Sequence, residues 1–456
     1  MADWTAGEVA GMIGATLLGR AEAHFAAATT DSRESRPGAA FFALDGARHR
    51  GVQFVPAAFG SGCSVVVVPN DWTGEIPPGR AALKVADPME ALVALARRVR
   101  ATWTCPVVAV TGSAGKTTVK EMTAHVLGGL GDVLRSPGNF NTMVGLARTI
   151  LDSRETPDVA VLEVGASALG EIARLASLVR PAAAAVTNVA PAHLEGFGSI
   201  AGVRTEKLSL FSDLPSDALR LVDGDDPELV AAAEKYGRVT RVGFAEDNDL
   251  APRDLQLDAA GRATFLWREH RLVLSVPGRH QAKNALFALA FAESLGVSPA
   301  EAVGRLATFT GVPGRLALLE RNGVTIADDS YNSNPRSVDV ALSWLVGAAT
   351  TGRRIAVLGD MLELGTESED FHAELGAKVA GLGLDLVVFV GSESRAAFAA
   401  RPAAGGGEWH HVETAEHASE LLAGLVAPGD LVLIKGSRGV GLDRVVRALA
   451  PAGEGA

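Results

Sequence analysis

The stretch VVAVTGSAGKTTVKEM, residues 107–122, decides how the fold is read. A β-branched run ends at Thr111, and the small residues Gly112, Ser113, Ala114 and Gly115 follow. Lys116, Thr117 and Thr118 come next. Behind them Val119, Met122 and Val126 recur at i, i+3 and i+7, the apolar stripe of a helix. Strand, small-residue turn, lysine, hydroxyl and helix is the order of a phosphate-binding loop. Small side chains let backbone N–H groups close around a phosphate, and the helix N-terminus adds partial positive charge. Lys116 can then reach β- and γ-phosphates, and the Thr117 hydroxyl can ligate Mg²⁺. The usual pattern has a glycine five residues before Gly115, where Val110 stands. A tight strand-to-helix turn that merely contains a lysine is the alternative.

Working outward, the same texture repeats. Apolar runs at 107–112, 159–165, 182–188, 354–360, 386–391 and 431–436 alternate with Ala- and Leu-rich helical stretches. Strands that are apolar almost throughout are buried on both faces, which is the mark of parallel sheets in an α/β fold. The pattern changes near Arg100–Pro106 and again at Val312–Arg315. The chain therefore divides into residues 1–100 (mixed α/β), 101–312 and 313–456. The third part should open with a hairpin, Leu316–Glu320 and Val324–Asp328, across Arg321-Asn322-Gly323. Ala403–Glu408 reads as a loop and Pro451–Ala456 as a tail. The N-terminus, residues 1–25, reads as an amphipathic helix rather than a signal peptide.

Composition narrows the function. A length of 456 residues predicts two to four domains at roughly 100–200 residues each. Hydrophobic residues at 48% and charged residues at 21% exclude wholesale disorder. With 42 basic and 53 acidic residues the net charge is −11, which argues against a non-specific nucleic-acid binder. Small anionic ligands need only a local basic site, so they stay open. Two cysteines, Cys63 and Cys105, make no disulfide framework and point to a reducing compartment. No apolar stretch approaches the ~18–20 residues that span a bilayer. The expectation is a cytoplasmic protein without membrane insertion.

Downstream residues add chemistry. Glu163 closes the run 159–164, where a Mg²⁺ ligand beside a phosphate loop is expected; an ordinary strand-end acid is the alternative. His193 follows the next buried strand, and Lys207 lies further on in a helical stretch. A lone histidine there is more often structural, and magnesium prefers oxygen, so physics alone does not make His193 a ligand.

At this point the pieces resemble a family. TGSAGKTT, LEVGASALGEI (162–172) and TNVAPAHLEGFGS (187–199) are similar to the ATP-dependent Mur ligases of peptidoglycan synthesis. GRHQAKNALFALA (278–290), GRLALL (314–319) and DDSYNSNPRS (328–337) match in order. LGDMLELG (358–365), IKGSRGVGLDRVV (434–446) and TDSRESRPGAAFFALDGARHRG (30–51) narrow the likeness to the branch that adds a D-alanyl-D-alanine dipeptide. The resemblance implies an N-terminal UDP-binding domain, a central phosphate-loop ATPase domain and a C-terminal Rossmann-like domain. It implies UDP-N-acetylmuramoyl-tripeptide and D-alanyl-D-alanine as partners, joined through an acyl phosphate by a monomer.

Roles follow from the resemblance alone. Gly112 to Thr118 would hold ATP, with Asn284, Arg315, Asp329 and Tyr331. Lys116 would steady the transferred phosphate. Thr117 and Glu163 would hold one Mg²⁺, and His193 with a carbamylated Lys207 a second. Without the carbamate, Lys207 reads as a surface lysine. Ser32 and Arg33 would meet the uridine diphosphate, although Arg33 could equally pair with a local acid. Asn139, Asn141, Asn332 and Asn334 would touch substrate. Asn284 and Asn334 also read as plain helix caps, the latter before Pro335. Lys435 and Arg438 could meet an anion. Arg50, Val52 and Thr142 depart from the family pattern. Three rivals stand beside this reading: a folylpolyglutamate-synthase-like ligase, a nucleotide-driven switch or motor, and a catalytically dead homologue. Residues 30–51 count against the first, and the intact set from Lys116 to Lys207 against the last.

Overall fold

Residues 3–450, apart from 47, 154 and 403–406, are described by the structure, a computed structural model. Positions 403–406 of the expected loop and 451–456 of the expected tail lie outside the described residues; Glu408 already opens a strand.

The stretch 107–122 folds as its pattern requires. Val107–Thr111 is a fully buried strand and Lys116–Leu127 a helix that buries Val119, Met122 and Val126. The strand lies inside a six-stranded sheet. Its order is Thr240–Val242, Leu219–Asp223, Ala183–Val186, Val107–Thr111, Val159–Glu163 and Val133–Arg135. All the pairings are parallel, with Glu163 opposite Val110 and Val186 opposite Thr111. The strand ends that carry polar residues therefore share one edge, where open α/β sheets bind ligands. Under the sheet, helix Lys116–Leu127 packs on helix His280–Ser294, whose Ala285–Leu289 segment is wholly buried. Burying each large apolar side chain there contributes about 1.5–3 kcal/mol.

A second six-stranded sheet is built from Ala317–Arg321, Val324–Asp329, Leu431–Lys435, Arg354–Gly359, Leu386–Val390 and Glu408–Val412 in that spatial order. Only the first pair is antiparallel, and it is the expected hairpin. Its turn is the pair Asn322 and Gly323, with φ of 51° and 76°, and Arg321 belongs to the strand. Two left-handed residues give the turn whose twist matches the strands.

The N-terminal part holds a five-stranded sheet in the order Thr16–Gly19, Ala81–Val85, Val65–Pro69, Ala39–Phe42, Ala27–Thr29. The expected N-terminal helix is cut short. It spans Ala6–Ile13, stops at left-handed Gly14, and the strand Thr16–Gly19 follows. Glycine at that C-terminal position ends a helix without steric cost. One further sheet did not stand out among the apolar runs. Arg253–Leu257, Arg262–Trp267 and His270–Pro277 form an antiparallel sheet with one face buried, so its strands alternate. Among the described residues no helix is long and apolar enough to cross a membrane.

Candidate active site

The loop after Val107–Thr111 is held in shape by its own glycines and by the neighbouring strand. Gly112 has φ 148°, and a Cβ there would lie 2.0 Å from the Thr187 hydroxyl. Gly115 has φ 82° and faces the Asn284 amide. Asn188 grips Ala114 twice: its Oδ1 accepts from the Ala114 N–H at 2.9 Å, and its Nδ2 donates to the Ala114 carbonyl at 2.8 Å. Thr187 Oγ1 donates to the same carbonyl at 2.6 Å. Thr187 and Asn188 were not among the residues singled out in the sequence. Their signal was positional: they follow the strand beside the loop strand.

Lys116 folds back and donates to the Gly112 carbonyl at 2.8 Å. Burial pushes its amine below the usual lysine range, while nearby Glu163 pulls it up and Arg315 down. Arg315 Nη2 donates to Thr117 Oγ1 at 3.3 Å. Across the loop, Glu163 is 2% exposed. Its Oε1 accepts from Asn141 Nδ2 at 2.8 Å, but its Oε2 is buried with no partner. A bare carboxylate oxygen out of water is costly unless a cation or donor meets it. Thr142, the departure beside Asn141, caps helix Met143–Leu151 by accepting from the Gly145 N–H. Asparagine and threonine serve that position in the same way.

His193 and Lys207 complete the far side. His193 sits in the left-handed region with φ 52°, and its Nδ1 lies 2.5 Å from Glu363 Oε2. Burial holds this imidazole below its ordinary value, against the pull of Glu363. Lys207 is not a surface lysine: it is 2% exposed, and its amine lies over the Phe197 ring at 5.4 Å. Burial, reinforced by Lys116, lowers its pKa to about 7, with Glu206 opposing. Glu206 itself accepts from the N–H groups of Gly170 and Ile172 at the start of helix Glu171–Val179.

One cavity of about 570 Å³ brings most of these groups together. Ser113 to Thr117, Asn139, Asn141, Glu163, His193, Arg315, Tyr331, Asn332 and Asn334 line it. Thr118, Asn284, Asp329 and Lys435 line a second cavity of about 180 Å³, which shares Gly115, Thr117 and Arg315 with the first. Asn284 is not a helix cap. It lies inside helix His280–Ser294 and donates to Gln281 Oε1 at 2.9 Å. Asn334 does cap helix Pro335–Gly347, and its Nδ2 also reaches the Ser113 carbonyl at 3.4 Å. Lys435 is committed internally, at 2.7 Å from Asp329. The Tyr331 ring lies between Arg315 and Arg438, at 4.1 and 5.2 Å from its centre.

Ser32 and Arg33 line neither cavity. The Arg33 guanidinium pairs with Asp31 at 2.6 Å, the local acid, and holds that carboxyl down to about 2. Arg50 lies near Asp45 and Asp71, and Val52 shares a shallow surface hollow with it.

Among the described residues no group of three or more His, Cys, Asp or Glu side chains forms a metal cage. Magnesium seldom needs one, because it keeps waters and takes one or two carboxylates together with substrate phosphates. The unpaired Glu163 Oε2, in the cavity that Thr117 also lines, suits that habit. An ammonium at Lys207 does not.

Comparison with known proteins completes the description. The Mur ligase middle domain matches residues 110–292, and the Mur ligase, glutamate ligase domain matches residues 314–438. The UDP-N-acetylmuramoyl-tripeptide–D-alanyl-D-alanine ligase of Escherichia coli is 37% identical over 93% of both chains. The Bacillus subtilis enzyme of the same name is 34% identical over 92% of each. A crystal structure of MurF from Acinetobacter baumannii superposes with a TM-score of 0.87 at 30% identity, covering 98% of this chain and 99% of that one. A Thermotoga maritima MurF structure in complex with ADP gives 0.81 at 30% identity, over 93% and 96%.

Proposed function

The chain belongs to the Mur ligase family, and from that premise we infer that it joins D-alanyl-D-alanine to UDP-N-acetylmuramoyl-tripeptide, using ATP. The products are UDP-N-acetylmuramoyl-pentapeptide, ADP and phosphate, a step in peptidoglycan precursor synthesis. The observation that carries the chemistry is the buried, unpartnered Oε2 of Glu163 in the same cavity as Lys116.

In the first half-reaction a tripeptide carboxylate oxygen bonds to the γ-phosphorus of ATP, and ADP leaves. In the second the dipeptide amine, having given up its ammonium proton, bonds to the acyl carbon; phosphate leaves with the C–O electron pair, and the new amide nitrogen sheds its extra proton to water. The protein's work is alignment and charge neutralisation. We assign Lys116 to the transferred phosphate, and the N–H groups of Gly112 to Thr118 to the phosphate chain. Asn284, Arg315, Asp329 and Tyr331 are assigned to the nucleotide. Asn139 and Asn141 face the muramoyl peptide in this reading, and Asn332 and Asn334 the cleft side of the third part. Thr117 and Glu163 would hold Mg²⁺, which supplies positive charge against the phosphate oxygens. His193 and Lys207 would hold a second ion once Lys207 is carbamylated. That modification needs a neutral amine, whose nitrogen bonds to CO₂ and releases a proton. A buried amine with pKa about 7 meets the requirement at neutral pH.

Residues 1–100 are assigned to the UDP end of the substrate, with Ser32 and Arg33 on the exposed side. Residues 101–312 take ATP and 313–456 the dipeptide. We place the protein in the cytoplasm as a monomer. The test is phosphate release measured with each substrate omitted in turn. Release should require both the muramoyl-tripeptide and D-alanyl-D-alanine, with pentapeptide seen by mass spectrometry. Robust release with neither present overturns the ligase reading.

A further inference from the structure

We propose that Glu363 is the anchor for the ammonium group of the incoming dipeptide. The assignment rests on the ligase reading above and adds a residue to it.

Glu363 belongs to LGDMLELG (358–365), which the site described so far leaves without a task. Its neighbours hold it firmly. Met361 and Leu364 are buried in the core of the C-terminal part, at 1% and 2% exposure. The Met361 N–H donates to His372 Nε2 at 3.0 Å, and the Leu362 N–H to Ser437 Oγ at 3.0 Å. Between these fixed points Glu363 adopts φ 65°, in the left-handed region that glycine favours. A non-glycine residue stays there only when its surroundings over-determine it, and such residues gather at working sites. The side chain is 58% exposed and lines the large cavity. Its contact, His193, is also left-handed, with φ 52°. Two strained residues thus face each other across the cleft between the central and C-terminal parts.

Charge decides what such a group is for. Lys116, Arg174 and Arg315 are the lysine and arginine side chains along the cavity wall. That set suits ATP and a carboxylate, and it repels an ammonium. The incoming dipeptide arrives with one. Glu163, Glu171 and Glu363 are the acids along the wall. Glu163 is tied to Asn141, and its free oxygen is the one assigned to Mg²⁺. Glu171 accepts from the N–H groups of Ser167 and Ala168. Glu363 alone among them comes from the C-terminal part, where the dipeptide is assigned. Its carboxylate rests on one imidazole, a contact that an ammonium can take over with a stronger, charge-assisted hydrogen bond.

The experiment is steady-state kinetics of the full-length enzyme and its Glu363→Gln variant, varying each substrate and Mg²⁺ separately. The amide keeps the size and removes the charge. KM for D-alanyl-D-alanine should rise about ten-fold or more, and KM for ATP and for the tripeptide should stay within about two-fold. As a second readout, N-propionyl-D-alanine, which matches the dipeptide without its amine, should inhibit. Wild type should prefer the dipeptide over this analogue, and the variant should lose that preference. An unchanged dipeptide KM, or a preserved preference, overturns the assignment. So does a rise in the Mg²⁺ requirement without a dipeptide effect, which would place Glu363 in the support of His193. Wild-type enzyme that makes no pentapeptide overturns the ligase reading itself, a distinct failure.

Discussion

The two six-stranded sheets share an architecture and treat their polar strand ends in opposite ways. At the edge of the central sheet, Glu163 leaves one buried oxygen unpaired, and Lys207, on helix Ile200–Leu208, is buried with no carboxylate in salt-bridge range among the described residues. At the same edge of the C-terminal sheet, Asp329 and Lys435 sit opposite each other on adjacent strands and pair at 2.7 Å. Asp360, just after strand Arg354–Gly359, accepts from the Ser394 N–H at 2.8 Å. The central edge therefore leaves charge unsatisfied at Glu163, although its Asp223 is paired, while the C-terminal edge neutralises its own. Unsatisfied buried charge is unfavourable for the empty protein, so it is informative about ligands. A satisfied pair speaks of stability and position.

The comparison can be broken by substitution. The largest effect belongs to the unsatisfied edge. Lys116→Ala should lower kcat/KM about 10³-fold, or ~4 kcal/mol of transition-state stabilisation, with little change in melting temperature. Kinetics beside a thermal melt checks both halves. On the satisfied edge the pattern should invert. Lys435→Met strands Asp329 in a buried site and should destabilise the protein by about 3 kcal/mol, read by denaturant titration. If this variant melts like wild type, the pair is not structural and the contrast fails.

His280 joins the two edges, because its neighbours in charge are Lys435 and Lys283. Burial first, then those two cations, holds its imidazole down to about 4. The unfolded chain binds a proton below about 6.5, whereas the folded chain stays neutral until about 4. Stability is therefore lost as pH falls through that window. His280→Gln should flatten the decline between pH 6.5 and 4 in a series of urea melts. A comparably large expectation concerns Lys207→Met. It should remove most activity, about 100-fold, and yet raise the melting temperature of the unmodified, metal-free protein, where a buried amine without an acid partner disappears. Partial rescue of Lys207→Ala by a short carboxylate would support the carbamate, and near-wild-type activity in that variant would refute it. The smallest effect is Asn334→Ala, about 1 kcal/mol from loss of a helix cap.

The same contrast explains what could be read from the sequence. The parallel strands were legible because two-sided burial makes each one a continuous apolar run, as at Val107–Thr111 and Leu431–Lys435. The antiparallel sheet of Arg253–Pro277 was not, since its solvent face interrupts the apolar residues with polar ones such as Gln256, Thr264 and Ser275. The phosphate loop was legible because its parts are contiguous. Glu363 and the grip of Asn188 on Ala114 were not, because they join segments far apart in the chain. For Asn284 the local reading failed outright: a polar residue near a helix start looks like a cap, but here the helix begins four residues earlier.

Asp223 ends its strand holding two cations, Lys283 of its own part and Arg336 of the C-terminal part, at 2.7 and 2.9 Å. Arg315 reaches Thr117 and Asn334 reaches Ser113 across the same seam. Docking and occupancy of the loop then share atoms, and thermodynamic linkage makes the debt mutual. Whatever factor a nucleotide adds to the closing of the seam, closing must add to the hold on the nucleotide. A change at Arg336, which lines the smaller cavity together with Asn284, should therefore surface as a change in nucleotide affinity.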